Sequence, residues 1–210
     1  MLELAMLSLS YKIDSGDMIA SESLDILRRG GIIAYSTESY YALGVLATDE
    51  AAVKKLIEIK NRPPEKPLPV IVGDMDTLKS IVKKIPDQAN ELIQRHWPGP
   101  LTIIFEAQAN VPELLTAGTG KVAVRIPGES AALYLAKELK LPVTATSANP
   151  SSMQPADSPE MVKNYFGDDL DLLIDAGMLP GGKPSTIVDA TVIPLKVLRK
   201  GKVELDEVTR

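Results

Sequence analysis

A mixed α/β fold in a single domain over residues 1–210 is what this sequence predicts, on three observations. Amphipathic stretches, with apolar residues every three to four positions, alternate with short apolar runs, as when helices cover a largely buried sheet. The length of 210 residues suits one large domain or two small ones tightly fused, and neither an internal repeat nor a low-complexity linker divides it. The composition, 45% hydrophobic and 24% charged, is that of an average globular protein and excludes a disordered chain, a collagen-like fibre and a coiled coil.

The spacing predicts a first helix over 15–29, closed by Gly30 and Gly31, because glycine accepts the left-handed conformation that ends a helix. GIIAY (31–35) follows as a buried strand. Thr48 or Asp49 caps a helix to Ile59, with Val53, Leu56 and Ile57 on one buried face. After a proline-rich turn, LPVIV (68–72) reads as a strand. Asp74 or Asp76 caps a helix to about Lys84, and Pro86 opens another that reaches His96. Further strands are predicted at LTIIF (101–105), VAVRI (122–126), PVTAT (142–146), LDLLID (170–175), STIVDA (185–190) and LKVLR (195–199), with helices over 130–140 and 158–165. The total, about eight strands and about six helices, is consistent with one mixed sheet.

Charge and residue types narrow the function. With 23 basic and 28 acidic residues the net charge is −5, so a wholesale cationic surface is excluded and any anion site must be a local cluster. One such cluster lies between Lys54 and Lys66, where Lys54, Lys55, Lys60, Arg62 and Lys66 outweigh Glu58 and Glu65; Lys54 and Lys55 are expected on a solvated helix face. From Asp157 to Asp175 the balance is strongly acidic. The absence of cysteine removes disulfides, cysteine-ligated zinc, iron–sulfur clusters and thiol nucleophiles, and suits a reducing cytosol. One histidine, His96, excludes multi-histidine metal sites and reads as a helix-end or packing residue. No run approaches the roughly 18 apolar residues of a membrane span. The opening MLELAMLSLS has no preceding basic residue and is interrupted by Glu3, so no signal peptide is expected and the protein is read as cytoplasmic.

Two stretches could carry chemistry. In IKNRPPEKPLPVIV (59–72) a helix delivers Lys60 and Arg62, prolines 63, 64, 67 and 69 stiffen the loop, and Lys66 follows. Stiff cationic loops suit polyphosphate, since an arginine fork holds two oxygens at once; a proline-rich surface turn with solvated charges fits the spacing equally. In TATSANPSS (144–152), directly after a strand, Ser147 and Asn149 can hydrogen-bond a ligand where open sheets place their sites, although an ordinary Asn-Pro turn is the competing reading. Other motifs fail. G-x-S-x-G and G-x-G-x-x-G are absent, and GTGK (118–121) has Val122 where a magnesium-holding hydroxyl belongs. The nine aromatic residues do not interleave with basic ones, so no single-strand stacking platform is indicated.

Taken in order, GGIIAYSTESYYALG (30–44), IKNRPPEKPL (59–68), WPGPLT (97–102), VAVRIP (122–127), TSAN (146–149), STIVD (185–189) and LRKG (198–201) resemble the YrdC-like family of threonylcarbamoyl-AMP synthases. The resemblance implies a twisted mixed sheet of about 7–8 strands, flanked by helices and curving around a deep basic cleft. It implies a nucleotidyltransferase that converts L-threonine, bicarbonate and ATP, with Mg2+ carried by the nucleotide, into threonylcarbamoyl-adenylate and pyrophosphate. tRNA-modifying partner proteins then place the group on adenosine 37 of tRNA. The family's K-x-R and S-x-N pairs fall on Lys60 and Arg62 and on Ser147 and Asn149, implied to be catalytic and ATP-binding together with Lys66 and Arg199. Thr37, Ser39, Arg125, Ala145 and Ser185 are implied to surround the threonine. The sequence departs from the family pattern at Ser36 and Ala42, where proline and glycine are usual, and at Ile71 and Lys121, where relatives often carry polar or small hydroxyl residues.

The physical chemistry agrees with that assignment. Attack of a carbamate on an α-phosphate brings two anions together and expels a third, so the task is charge neutralisation and alignment. Two other readings use the same cations. One is a module for double-stranded RNA or tRNA, which needs phosphate-spaced cations over a broad surface; direct RNA binding can also coexist with catalysis. The other is a carbamoyl-adenylate-forming carbamoyltransferase, whose relatives carry additional acylphosphatase and zinc-finger segments.

Overall fold

Most of the apolar runs form buried strands, whereas β6 (Lys121–Arg125) is buried at alternate residues and β11 (Lys196–Arg199) is exposed along its length. The computed structural model of the protein describes residues 7–10 and 16–205; the expected helix start at Ser15, the first six residues and the last five lie outside them. Eleven strands are described: β1 (Leu7–Ser10), β2 (Ile33–Ser36), β3 (Tyr41–Gly44), β4 (Val70–Ile71), β5 (Leu101–Glu106), β6 (Lys121–Arg125), β7 (Val143–Thr144), β8 (Thr146–Ser147), β9 (Leu172–Asp175), β10 (Thr186–Asp189) and β11 (Lys196–Arg199). The α-helices are α1 (Gly16–Arg28), α2 (Glu50–Ile59), α3 (Met75–Ile81), α4 (Asp87–His96), α5 (Glu113–Thr116), α6 (Ala131–Leu139) and α7 (Pro159–Phe166). The mixed α/β class expected from the sequence is the class observed.

The single sheet is not. The strands form two mixed sheets, ordered β1-β9-β2-β3-β8 and β11-β10-β5-β6-β4-β7. The expected strand over 142–146 is the point of division. The Ala145 N–H donates to the Pro69 carbonyl at 2.8 Å, extending the pairing of β7 with β4 by one residue, whereas from Thr146 onward the chain, as β8, pairs with β3 in the other sheet. An isolated bridge between Leu46 and Val143 links the sheets beside this crossing. Three further elements had no counterpart in the sequence reading. These are β1, a parallel partner of β9; β3, whose Tyr-Ala-Leu-Gly acquires extended structure by antiparallel pairing with β2; and the short α5.

Helices occupy both sides of the β2 layer. Ile33 and Tyr35 pack with Leu24, Leu27, Leu135 and Leu139 under α1 and α6, whereas the alternate Ala34 joins the larger core that includes Leu56, Leu78, Leu92 and Phe105. Asp49 Oδ1 caps α2 by accepting from Ala52 N–H at 3.0 Å, and Asp74 Oδ1 caps α3 by accepting from Thr77 N–H at 2.7 Å. Lys54 and Lys55 are exposed, as their spacing required. Among the described residues no helix is long and apolar enough to cross a membrane.

Candidate functional site

The stiff basic loop begins where α2 ends. Lys60 is the C-cap, and the next residue, Asn61, takes a left-handed conformation with φ 46°, which reverses the chain. Lys60 and Arg62 therefore go to different places. Lys60 is 1% exposed, and its ammonium donates to the backbone carbonyls of Ser147 and Asn149. Burial, then the Arg62 charge, lowers its pKa to about 7. Arg62 faces a cleft and braces its own loop, donating from Nε to the Lys66 carbonyl at 3.0 Å and from Nη2 to the Pro67 carbonyl at 2.7 Å. Lys66 is exposed on the same loop and does not line the cleft.

The cleft has a volume of about 660 Å³ and lies beside the Ala145 crossing, with walls from both sheets. That is the size of a small-molecule or cofactor site. Ser147 of β8 reaches it, and Ala145 lines it at the crossing. Asn149 does not: it is 8% exposed, and its amide donates to the Pro150 and Met153 carbonyls at 2.8 and 2.9 Å, bracing the turn from within.

At the other end the cleft is bounded by the turn between β2 and β3. Thr37 Oγ1 donates to the Tyr40 carbonyl at 2.8 Å and accepts from Ser39 N–H at 3.3 Å, holding Thr37 and Ser39 on the wall. Glu38 reaches across to β6: Oε1 accepts from Gly128 N–H at 2.6 Å, and Oε2 stands 3.3 Å from Arg125 Nη2 as an ion pair with both side chains largely buried. Arg199 of β11 donates to the Ser185 carbonyl and hydroxyl at 3.0 and 3.1 Å, and the Ser185 hydroxyl meets that of Thr102 at 2.8 Å. Burial lowers the Arg199 pKa, and the positive charge of Arg125 lowers it further. Among the described residues no carboxylate pairs with Arg62 or Arg199. Of the three arginines in the cleft, Arg125 is thus matched by Glu38, while Arg62 and Arg199 bring positive charge with no carboxylate partner among the described residues.

The loop before β10 covers one side. Tyr41 OH donates to the Gly177 carbonyl at 2.8 Å and accepts from Ala176 N–H at 2.9 Å; burial pushes its pKa up to about 12, so it remains a neutral donor. Ser39 accepts from Gly181 N–H at 2.9 Å through its carbonyl, and Tyr40 OH accepts from Gly182 N–H at 3.2 Å.

Of the residues singled out in the sequence, Thr37, Ser39, Arg62, Arg125, Ala145, Ser147, Ser185 and Arg199 meet in this cleft, whereas Lys60, Lys66 and Asn149 do not line it. Glu38, Tyr40 and Thr102 were not singled out. Each lies inside a quoted motif, but its part depends on a partner some 80 to 140 positions away. Among the departures, Ile71 lies on the cleft wall, and Lys121 is committed elsewhere, 3.0 Å from Asp189.

Fold and cleft define a two-sheet α/β protein with an arginine- and hydroxyl-bearing cleft between the sheets. A family model for the Sua5, YciO and YrdC proteins, described as telomere recombination, matches residues 25–201. The chain belongs to the Sua5/YciO/YrdC family. It is 37% identical over 184 residues to the threonylcarbamoyl-AMP synthase of Pyrococcus abyssi, covering 88% of this chain and 54% of that protein. It is 36% identical over 161 residues to the threonylcarbamoyl-AMP synthase of Idiomarina loihiensis, covering 76% and 87%. The crystal structure of P. abyssi Sua5 complexed with L-threonine superposes with a TM-score of 0.86 at 35% identity, covering 93% of this chain and 57% of that one. The chain thus spans little more than half the length of the P. abyssi relative.

Proposed function

We propose that this protein is an L-threonylcarbamoyladenylate synthase. The observation that carries this reading is the convergence of Arg62, Arg125 and Arg199, from three distant parts of the sequence, on one cleft that also gathers the hydroxyls of Thr37, Ser39, Thr102, Ser147 and Ser185. The threonine amine combines with bicarbonate, losing water, to give a carbamate. A carbamate oxygen forms a bond to the α-phosphorus of ATP as the bond from that phosphorus to the bridging oxygen breaks, and pyrophosphate leaves with the electron pair. Three anionic groups crowd together at that point, so fixed guanidinium groups stabilise the transition state and align the reactants.

Arg62, Ser147 and Arg199 hold the nucleotide, with Lys66 and Asn149 on the adjoining loops. Arg125 makes a bidentate pair with the threonine carboxylate, its direction set by Glu38. Ser39, Thr37, Ser185 and the backbone at Ala145 surround the amino-acid side chain. Magnesium enters bound to ATP as part of the substrate; among the described residues no three His, Cys, Asp or Glu side chains converge on one point, and neutral hydroxyls and cations suit a ligand that brings its own metal. The product is handed to tRNA-modifying partner proteins for transfer to adenosine 37, in the cytoplasm.

The test is pyrophosphate release from ATP, magnesium and bicarbonate with and without L-threonine. Release that requires threonine is expected, and Arg62→Ala is expected to lower it by at least about a hundredfold with an unchanged circular dichroism spectrum. Release independent of threonine, or no release from the wild-type protein, removes the assignment.

A further inference from the structure

We propose that Lys60 is a positioning residue that acts through the backbone of Ser147–Asn149 and touches no substrate. Its ammonium donates to the Ser147 carbonyl and, at 2.5 Å, to the Asn149 carbonyl. Its own carbonyl accepts from Ser151 N–H at 2.8 Å. A single residue therefore grips the segment 147–151 near both ends, while the Phe166 ring, its centroid 6.0 Å from Nζ, covers another side of the ammonium. Lys60 is 1% exposed and absent from the cleft wall, whereas Ser147, whose own carbonyl it holds, is on that wall.

The chemistry of the grip fits this role. When Lys60 is protonated, its hydrogen bonds are roughly twice as strong as neutral ones, and as a neutral amine it keeps two N–H donors for the same two carbonyls. A buried ammonium without an acidic partner is costly to fold around, and among the described residues no carboxylate pairs with Lys60. Such a charge is expected where it holds something that must not move. Asn61 supplies the geometry: its left-handed turn sends Lys60 into the core and Arg62 into the cleft, so one short segment both lines the site and fastens the opposite wall. The inference rests on the proposed function only in assigning Ser147 to the nucleotide.

Hydrogen exchange and MgATP affinity test it, using Lys60→Met, Ser147→Ala and the double variant. In Lys60→Met the Asn149 and Ser151 amides are expected to exchange at least about tenfold faster, with the β5–β6 ladder unchanged. MgATP affinity, by calorimetry, is expected to fall about tenfold, and the double variant to bind no more weakly than Ser147→Ala alone, because two residues acting through one element are not additive. Unchanged exchange overturns the proposal, as do losses that multiply in the double variant, the mark of a direct contact with the nucleotide. Should Lys60→Met fail to fold, Lys60→Gln, which keeps N–H donors without the charge, carries the same comparison. Wild-type protein that binds MgATP yet releases no threonine-dependent pyrophosphate refutes the enzyme assignment and leaves this comparison standing; if it binds none, the exchange rates alone decide.

Discussion

Lys60 links a folding cost to pH. Burial is the main cause that brings its pKa from 10.5 down to about 7, and the nearby Arg62 charge adds to it. Between those values the unfolded chain holds a proton that the folded protein has released, so stability rises with pH across that window; below about 7 both states are protonated and the dependence vanishes. Relative to Lys60→Met, the wild-type protein should therefore gain stability from pH 7 to 9, by up to about 1.4 kcal/mol per pH unit. Urea midpoints of the two proteins at both pH values measure it, and parallel pH dependences would show that the ammonium keeps its proton in the fold. The Glu38 carboxylate, 3.3 Å from Arg125 Nη2, aims that guanidinium.

At the scale of elements, the cleft depends on how closely helices approach the sheets. Gly73, between β4 and α3, sits against the backbone of α6: a Cβ there would stand 2.5 Å from the Ala136 carbonyl and from Lys137 N. Backbone cannot step aside as a flexible side chain can. Gly73→Ala is expected to destabilise by about 2–3 kcal/mol or more, through displacement of α6 from the sheet. For a protein of this size, thermal unfolding should shift down by roughly 2–4 °C per kcal/mol. A midpoint unchanged within a degree would mean that α6 moves freely over β4. The same displacement would disturb Ile71, which packs with α6 and also lines the cleft.

For the whole molecule, the concentration of guanidinium groups in an otherwise acidic protein sets both what binds and how binding responds to salt. Ligand that binds only the folded state stabilises it by about 2.7 kcal/mol at a hundred times its dissociation constant. MgATP at such a concentration should raise the unfolding temperature by roughly 5–10 °C. The rise should shrink as salt is increased from about 0.05 to 0.5 M, because the arginines are partly solvated and screened. Inorganic sulfate at equal ionic strength distinguishes nucleotide recognition from generic anion binding. No shift with MgATP would rule out the cleft as a nucleotide site.

Much of the site was legible in the sequence. Proline-stiffened cations and small hydroxyl residues after a strand are local patterns with a local physical reason, and Arg62, Ser147 and Arg199 follow from them and from the family resemblance. Asn149 and Lys60 illustrate the limit: their motifs are visible, but the direction each side chain takes depends on a left-handed Asn61 and on what is buried behind it. Likewise β3 becomes a strand only by pairing with β2, and one predicted strand is divided between two sheets because Val143 and Thr144 pair with β4 while Thr146 pairs with β3. Sequence by itself determined the α/β class, the anionic balance and the residue types the site can use, since these rest on spacing and composition. Only the tertiary structure decided that there are two sheets, that the cleft opens where the chain crosses between them, and which cations face it, because those outcomes are set by contacts between residues far apart in the chain.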